Sequence, residues 1–423
     1  MRPGFSRYFL ILLVQLVPFQ YPLEAQDYDY YLGPSKYSFV NYSKNQFIPP
    51  ERGTEFNSWI EKVREIEAGK SEQLRIVHIG GSHIQADIYT HQIRKRFQEL
   101  SLDMRGSRGL IFPFRAAKTN NPSNYQVAYG GEWASCKCTR ITDDCRLGLT
   151  GMALHTSDSL ASITININRQ KDYFSEFDSV RVFHESFDNP LTLITFKDTI
   201  TGKYDSLQGC SVFRLSTPAY AFMMEVSGAS DSTEFTLFGF SLDNQSPGIV
   251  YNAIGVNGAK LSSYLRCELY EQHLRAVNPD LVIFSIGTND GYTRRFNKEL
   301  YQGEYIELIR RTRNAVPGSA ILLTVPNDSY LYRRYVNWNT EQMRKIIFRL
   351  AKEYNCGIWD FYTIMGGLNS SQAWYSLGLM KYDRIHFTRK GYELKGELLF
   401  SAFLKAMEGE LLKKEDELTE NYY

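Results

Sequence analysis

The chain has 423 residues, 43% of them hydrophobic, enough for one large core or two ordinary ones. Its 48 basic and 47 acidic residues leave a formal charge of +1, so no electrostatic footprint for nucleic acid or for a membrane surface is visible. Aromatic residues reach 14%; their faces suit sugar stacking, and the cores of β-rich proteins use them as well.

In chain order, Met1 to Arg7 carry two arginines, Tyr8 to Phe19 form an apolar run and Leu23-Glu24-Ala25 ends on a small residue. A basic head, a short apolar stretch and an alanine at the cut fit a secretory signal peptide over residues 1–25, too short to span a bilayer comfortably. The mature chain is therefore expected in the periplasm or outside the cell, without stable membrane insertion. No cysteine follows the apolar run, so no lipid anchor is expected.

Six cysteines fit that compartment. Cys136, Cys138 and Cys145 cluster and Cys210 follows, while no histidine or second close pair completes a zinc pattern in the sequence. One or two disulfides are expected in the 136–210 region, with the pairing open, and no metal or other cofactor is expected.

Residues 26–72 hold a Tyr-, Asn- and Pro-rich extended leader and a short helix from Trp59 to Glu67. An apolar β run, Leu74 to Ile79, then stops at Gly80-Gly81, Ser82-His83 follows, and the spacing predicts a helix from Ile84 to Leu100. A serine there projects from the carboxyl end of a strand, beside the free N–H groups of a helix start. Arg105-Gly106-Ser107-Arg108-Gly109-Leu110 reads either as a plain turn or as a cleft-lining loop in which Arg108 contacts an anionic sugar.

From 115 to 247 short β runs alternate apolar with polar residues and are broken by turn residues, as in 161–167, 179–184, 191–196, 219–226 and 235–242. Such spacing predicts an antiparallel sandwich or jelly roll. Trp133, Tyr125 and Tyr129 are its candidates for sugar stacking. The α/β texture returns near Ile249, with strands at 249–253, 281–286, 320–325 and 357–361 and helices at 259–276, 299–315, 340–354 and 389–407. Near-continuous apolar strands alternating with helices mean a parallel sheet covered on both faces. The expected fold is thus α/β, a three-layer parallel sheet flanked by helices, built from 73–114 and 248–408, with an all-β sandwich inserted at 115–247. The charged tail, 409–423, is expected to fray.

Three later segments answer Ser82: Gly255-Val256-Asn257-Gly258, Gly287-Thr288-Asn289-Asp290 and Asp383-Arg384-Ile385-His386. In an open α/β sheet all of them lie at the carboxyl edge. His386 can take the serine proton, and Asp383, three residues earlier, can hold the imidazole in the right tautomer. The N–H groups of Ser82 and Gly258 and the side-chain amide of Asn289 can receive the tetrahedral oxyanion.

These blocks, in this order, resemble the SGNH (GDSL-type) hydrolases. The resemblance covers about 75–115 and 248–407. It implies Ser82 as nucleophile, Gly258 and Asn289 as oxyanion partners, and Asp383 and His386 as the rest of a triad. The family's first block is usually Gly-Asp-Ser, whereas position 81 here is Gly. His83 after the serine, and a β insertion after the first block similar to a carbohydrate-binding module, resemble the subgroup of bacterial peptidoglycan O-acetylesterases. That resemblance implies a serine esterase that deacetylates a cell-envelope polysaccharide. Its rivals are a lipase or lysophospholipase, a polysaccharide O-acyltransferase on the same triad, and a carbohydrate-binding protein with an impaired catalytic half.

Other residues have structural readings. His83 is badly placed to be the base of its sequence neighbour, so a turn-shaping hydrogen bond or a substrate contact is expected. His78 is expected in the core, Asp290 as a cap after Asn289, and Arg310-Arg311-Thr312-Arg313 as a solvated helix face.

Overall fold

The computed structural model describes residues 37–51, 53–70, 72–167 and 176–420. The expected signal peptide lies outside them. A parallel sheet of five strands organises the chain: β1 (Gln73–Gly80), β2 (Gly248–Gly255), β3 (Leu281–Ser285), β4 (Ala320–Thr324) and β5 (Gly357–Trp359), in the spatial order β2-β1-β3-β4-β5. Register aligns Gly80 with both Gly255 and Ser285, so three of the four sequence blocks begin at one level of the sheet edge.

Strand alternation divides two cores. Leu74, Ile76, Leu281, Ile283 and Leu322 face one core, with Trp59 of helix Thr54–Glu67, Phe97 of helix Tyr89–Leu100 and Phe403 of helix Arg389–Glu420. Val77, Ile79, Val282, Phe284 and Leu323 face the other, with Tyr264, Tyr305 and Ile347 from the helices that follow β2, β3 and β4. The three-layer α/β architecture is the expected one.

Between β1 and β2 the chain forms two antiparallel sheets. One contains Phe177–His184, Cys210–Ala219 and Phe235–Asp243; the other contains Tyr125–Gly130, Leu160–Ile167 and Ala221–Ser227. Phe222 of the second sheet meets Phe177 and Phe240 of the first at ring distances of 5.8 and 5.2 Å. This region begins earlier in the chain than the sequence suggests. Gly109–Ile111, at the end of the Gly-Arg loop, is a strand paired with Phe235–Asp243. Its core is continuous with the Val77 side of the parallel sheet.

Several elements differ from expectation for identifiable reasons. The helix expected from Ile84 to Leu100 is split into Ser82–Gln85 and Tyr89–Leu100, because Asp87 adopts φ 43° and its carboxylate binds Arg94, Arg108 and Asn124. Only Gly, Asn and Asp visit that region readily. The 259–276 helix is broken into Leu261–Leu265 and Tyr270–Val277. Arg311 donates to the carbonyls of Leu265 and Cys267 and pairs with Glu271, satisfying groups a continuous helix would have bonded internally. Arg311 is thus buried, and Arg313 donates to the Ser319 and Asn355 carbonyls, so the run at 310–313 is only partly a solvated face. The tail expected to fray continues the last helix to Glu420, through a stretch rich in Glu, Leu and Lys, all good helix formers. The described part of the leader is tied to the sheet edge, with Ile48 bridging to Ile358 and Phe47 edge-on to Phe403.

Candidate active site

Ser82 opens the short helix after β1, whose last residue, Gly80, is required by space. A Cβ on Gly80 would lie 2.5 Å from Ile84 and 2.6 Å from the Ser285 carbonyl oxygen. Ser82 Oγ lies 2.9 Å from His386 Nε2, and His386 Nδ1 lies 2.8 Å from Asp383 Oδ2. The other Asp383 oxygen accepts the backbone N–H groups of Ile385 and His386, each at 2.9 Å. Partial burial alone would raise the Asp383 pKa. The hydrogen bonds from the His386 ring and from the two backbone groups outweigh it and hold the carboxyl well below the usual range. An ionised Asp383 accepting from Nδ1 leaves Nε2 free to accept from the serine hydroxyl.

Asn289 follows β3. Its Nδ2 donates to the Ala259 carbonyl at 2.9 Å, which leaves the second N–H of the amide for a ligand. That nitrogen lies beside Gly81, where an added Cβ would stand 3.2 Å from it. Gly258 sits at φ 81° with nothing within 4 Å of where a Cβ would be. Its reason to be glycine is the left-handed backbone rather than crowding. The structure therefore gathers Ser82, Gly258, Asn289, Asp383 and His386 at one edge of the sheet, linked by the Ser82–His386–Asp383 line.

The other candidates fall elsewhere. His83 is buried; its Nδ1 bonds Tyr392 Oη at 2.9 Å and its ring lies 5.3 Å from that of His386. Burial, reinforced by Lys395, keeps it far below the ordinary histidine pKa, so it stays neutral behind the His386 imidazole. Arg108, expected to face a ligand, is 2% exposed and bound to Asp87 and Asn124 inside the protein. A chain that reads as a surface loop is pulled inward by a carboxylate that sequence spacing does not reveal. Trp133 packs edge-on to Phe235 and donates to the Gly130 carbonyl, and Tyr125 is buried; of the three insertion aromatics Tyr129 is the exposed one. Asp290 caps the helix Leu261–Leu265 through the Leu261 N–H, and desolvation pushes its carboxyl up to about 7. His78 is a satisfied core residue, bonded to Tyr251 and Ser285.

Sequence reasoning missed Gln85. Its Oε1 accepts the Asn257 N–H at 2.7 Å and its Nε2 donates to Thr119 and Asn120, joining the Ser82 helix to the Gly258 loop and to residues 119–120. Tyr264 donates to the Gly80 carbonyl, 2.8 Å away. Only the proximity of Gln85 to Ser82 was a signal. Beside Asn257 opens a groove of about 460 Å³ in which Gln85, Lys137 and Arg140 stand beside the apolar Ala117, Met152 and Val256.

Cys136 and Cys145 form a disulfide, whereas Cys138, Cys210, Cys267 and Cys356 are buried thiols. The fold brings His155 to the pair, with the three ligand-type atoms within 4.8 Å of one another, a proximity invisible in sequence. No helix among the described residues is long and apolar enough to cross a membrane.

Residues 227–394 match the model of the GDSL-like Lipase/Acylhydrolase family. The matched span begins in the antiparallel region and leaves out Ser82, which the intervening strands separate from the other blocks. No curated protein matches the chain. Among solved structures, a peptidoglycan O-acetylesterase is similar with a TM-score of 0.69 at 22% identity, covering 83% of this chain and 96% of that one. A GDSL-like lipase from Bacteroides thetaiotaomicron (TM-score 0.29, 20% identity) covers 36% of this chain and 74% of its own. An acetyl xylan esterase from Geobacillus stearothermophilus (TM-score 0.30, 20% identity) covers 38% and 73%.

Proposed function

We propose that this carboxylic ester hydrolase, whose residues 227–394 match the model of the GDSL-like Lipase/Acylhydrolase family, removes O-acetyl groups from a cell-envelope polysaccharide. Peptidoglycan is the leading substrate. The observation that carries the reading is the unbroken line Ser82 Oγ, His386 Nε2 and Nδ1, Asp383 Oδ2, at 2.9 and 2.8 Å.

In this reading His386 takes the Ser82 proton as Oγ attacks the acetyl carbonyl. The oxyanion is received by the N–H groups of Ser82 and Gly258 and by the Asn289 amide, each worth on the order of 2.7–4 kcal/mol. Collapse returns the proton from Nε2 to the departing sugar oxygen and leaves acetyl-Ser82. Water, deprotonated by His386, then releases acetate and restores the serine. Asp383 stays ionised throughout and stabilises the imidazolium.

Support for the polysaccharide comes from the layout shared along most of both chains with the peptidoglycan O-acetylesterase. In the same reading the two antiparallel sheets are an inserted sandwich similar to a carbohydrate-binding module, and the protein works in the periplasm or outside the cell after signal-peptide removal.

The test is acetate release from O-acetylated peptidoglycan beside an O-acetylated plant-type glycan, with labelling of Ser82 by a fluorophosphonate. Labelling lost in Ser82→Ala and acetate released from peptidoglycan are expected. Faster turnover of long-chain than of acetyl p-nitrophenyl esters would sink the acetylesterase reading in favour of a lipase.

A further inference from the structure

We propose that the hairpin after β4, together with Tyr382 and Arg294, is a binding site for the sugars flanking the acetylated residue of an anionic glycan strand. The proposal rests on the esterase reading above and names the substrate class of that same edge.

Placement comes first. Tyr330–Leu331 pairs with Tyr335–Val336 to form the hairpin. Its tip is fastened to both loops that carry the chemistry. The Tyr332 N–H donates to Tyr292 Oη at 3.0 Å, three residues past Asn289. On the other side Tyr330 N–H donates to the Arg384 carbonyl and Arg384 Nη1 donates to the Arg333 carbonyl at 2.9 Å, within the Asp383–His386 loop. In the sheet order β2-β1-β3-β4, the hairpin lies beyond the Asn289 loop from Ser82, and the groove beside Asn257 lies on the β2 side. A polymer seated on the hairpin is thus aligned to cross the nucleophile toward that groove.

Presentation comes second. Tyr332, Tyr335, Trp338 and Tyr382 are 51, 49, 60 and 61% exposed, although most large aromatics among the described residues are buried. Tyr332 and Arg333 hold φ of 52° and 62°. Bulky residues persist in that region only where the surroundings impose it, and such outliers cluster at ligand sites. Arg294 lies 5.3 Å from the Tyr332 ring centre, and Arg333 lies 5.7 Å from that of Tyr382. The result is a surface on which open rings alternate with guanidiniums.

Charge comes third. The stretches 291–297, 330–338 and 381–386 contain Arg294, Arg295, Arg333, Arg334, Lys381 and Arg384 but one acid, Asp383, which is engaged with His386. Among the described residues none of these six meets a carboxylate within ion-pair distance, and Arg384 Nε is buried without a hydrogen-bond partner. This concentration stands out in a chain whose total charge is +1. Rings stack on the C–H faces of sugars, while an arginine fork takes a carboxylate in two parallel hydrogen bonds. A glycan with carboxylates along its length satisfies both. A neutral acetylated glycan satisfies only the first.

The test uses full-length Ser82→Ala protein, sedimented with insoluble peptidoglycan and, separately, with O-acetylated xylan as a neutral polymer. Tighter retention on peptidoglycan is expected, weakening with salt. Adding Tyr335→Ala and Tyr382→Ala should lower the affinity about tenfold, and Arg294→Gln with Arg333→Gln should lower it for peptidoglycan and not for xylan. Phe196→Ala, at a still more exposed aromatic on the antiparallel region, should bind like the parent. Melting temperatures establish that each variant is folded. Tyr335 and Tyr382 are chosen because Tyr332 anchors the hairpin; should the pair unfold, the arginine pair carries the test alone. Parent-like binding by the folded tyrosine and arginine variants, or equal retention on both polymers, would overturn the site. If Ser82 protein releases no acetate while retention still depends on Tyr335 and Tyr382, the esterase reading falls and the glycan site stands.

Discussion

Gln85 Oε1 accepts the backbone N–H of Asn257, 2.7 Å away, so the helix that begins with the nucleophile holds the loop that presents Gly258. Gln85 is buried, and removing it strands the Asn257 N–H and the Asn120 carbonyl, at a cost of about 1–3 kcal/mol. Gln85→Leu is therefore expected to lower kcat roughly ten- to a hundredfold, with KM for a small ester nearly unchanged. Gln85→Glu, which keeps the acceptor, should recover part of the loss. An unaltered kcat in Gln85→Leu would remove its positioning role.

Asp383 is expected to act as an anion. In Asp383→Asn the imidazole loses its charged partner and the tautomer it fixes, and kcat should drop by about 10⁴. Because the folded-state pKa of Asp383 lies below its unfolded value, its stabilising effect is present above the unfolded pKa and is lost as pH falls through the folded one. The stability gap between wild type and Asp383→Asn should accordingly shrink in acid. Denaturant titrations across pH 2–6, a range set about the carboxylate reference value, measure it.

The glycine at 81 is expected to be functional. A Cβ there would press on the Asn289 amide from 3.2 Å, and the amide would have to give by a few tenths of an ångström. Gly81→Ala should lower kcat by about tenfold and also lower the melting temperature, because φ −98° with ψ −140° lies outside the regions open to alanine. Asn289→Ala removes the donor itself and should cost about 10²–10³ in kcat. If Gly81→Ala is as active as wild type, the glycine is not there to clear the amide.

Asp290 has the opposite sign to Asp383. Desolvation raises it to about 7, so the folded state binds a proton that the unfolded state has released, and stability falls as pH rises from about 4 to about 7. Asp290→Asn keeps an oxygen to cap Leu261 and has no charge to bury. It should be more stable than wild type at pH 8, by a margin that vanishes near pH 4. Thermal melts at the two pH values decide; an equal margin at both would contradict the shift.

The Cys136–Cys145 bridge closes a loop with a sequence separation of 9. Loop-closure entropy puts its contribution at about 2–3 kcal/mol. Cys136→Ser with Cys145→Ser should lower the melting temperature by several degrees while sparing turnover of a small ester, and a reducing agent should do the same to wild type.

The catalytic line was legible in sequence because each member sits in a short local block next to a strand end or a helix start: Gly80-Gly81-Ser82, Gly287-Thr288-Asn289 and Asp383-Arg384-Ile385-His386. The alternation of apolar strands with helices likewise announced the parallel sheet. What escaped depends on partners far away in the chain. Arg108 reads as a loop cation until Asp87, 21 residues earlier, takes it inside. Arg311 reads as a solvated face until it captures the Leu265 and Cys267 carbonyls. The hairpin tip at Tyr332 and Arg333 needs left-handed backbone at residues whose side chains do not advertise it.

The Ser82–His386 bond spans 304 positions, and every strand of the two antiparallel sheets lies between its ends. β1 cannot complete its pairing until β2 and β3 have been made, and His386 follows later still. Synthesis from the amino end therefore delivers Ser82 first and His386 near the finish. In the proposed mechanism the growing chain thus carries a serine without its base for most of its time on the ribosome. Contacts of such long separation also make folding slow, because the loop must close before they contribute.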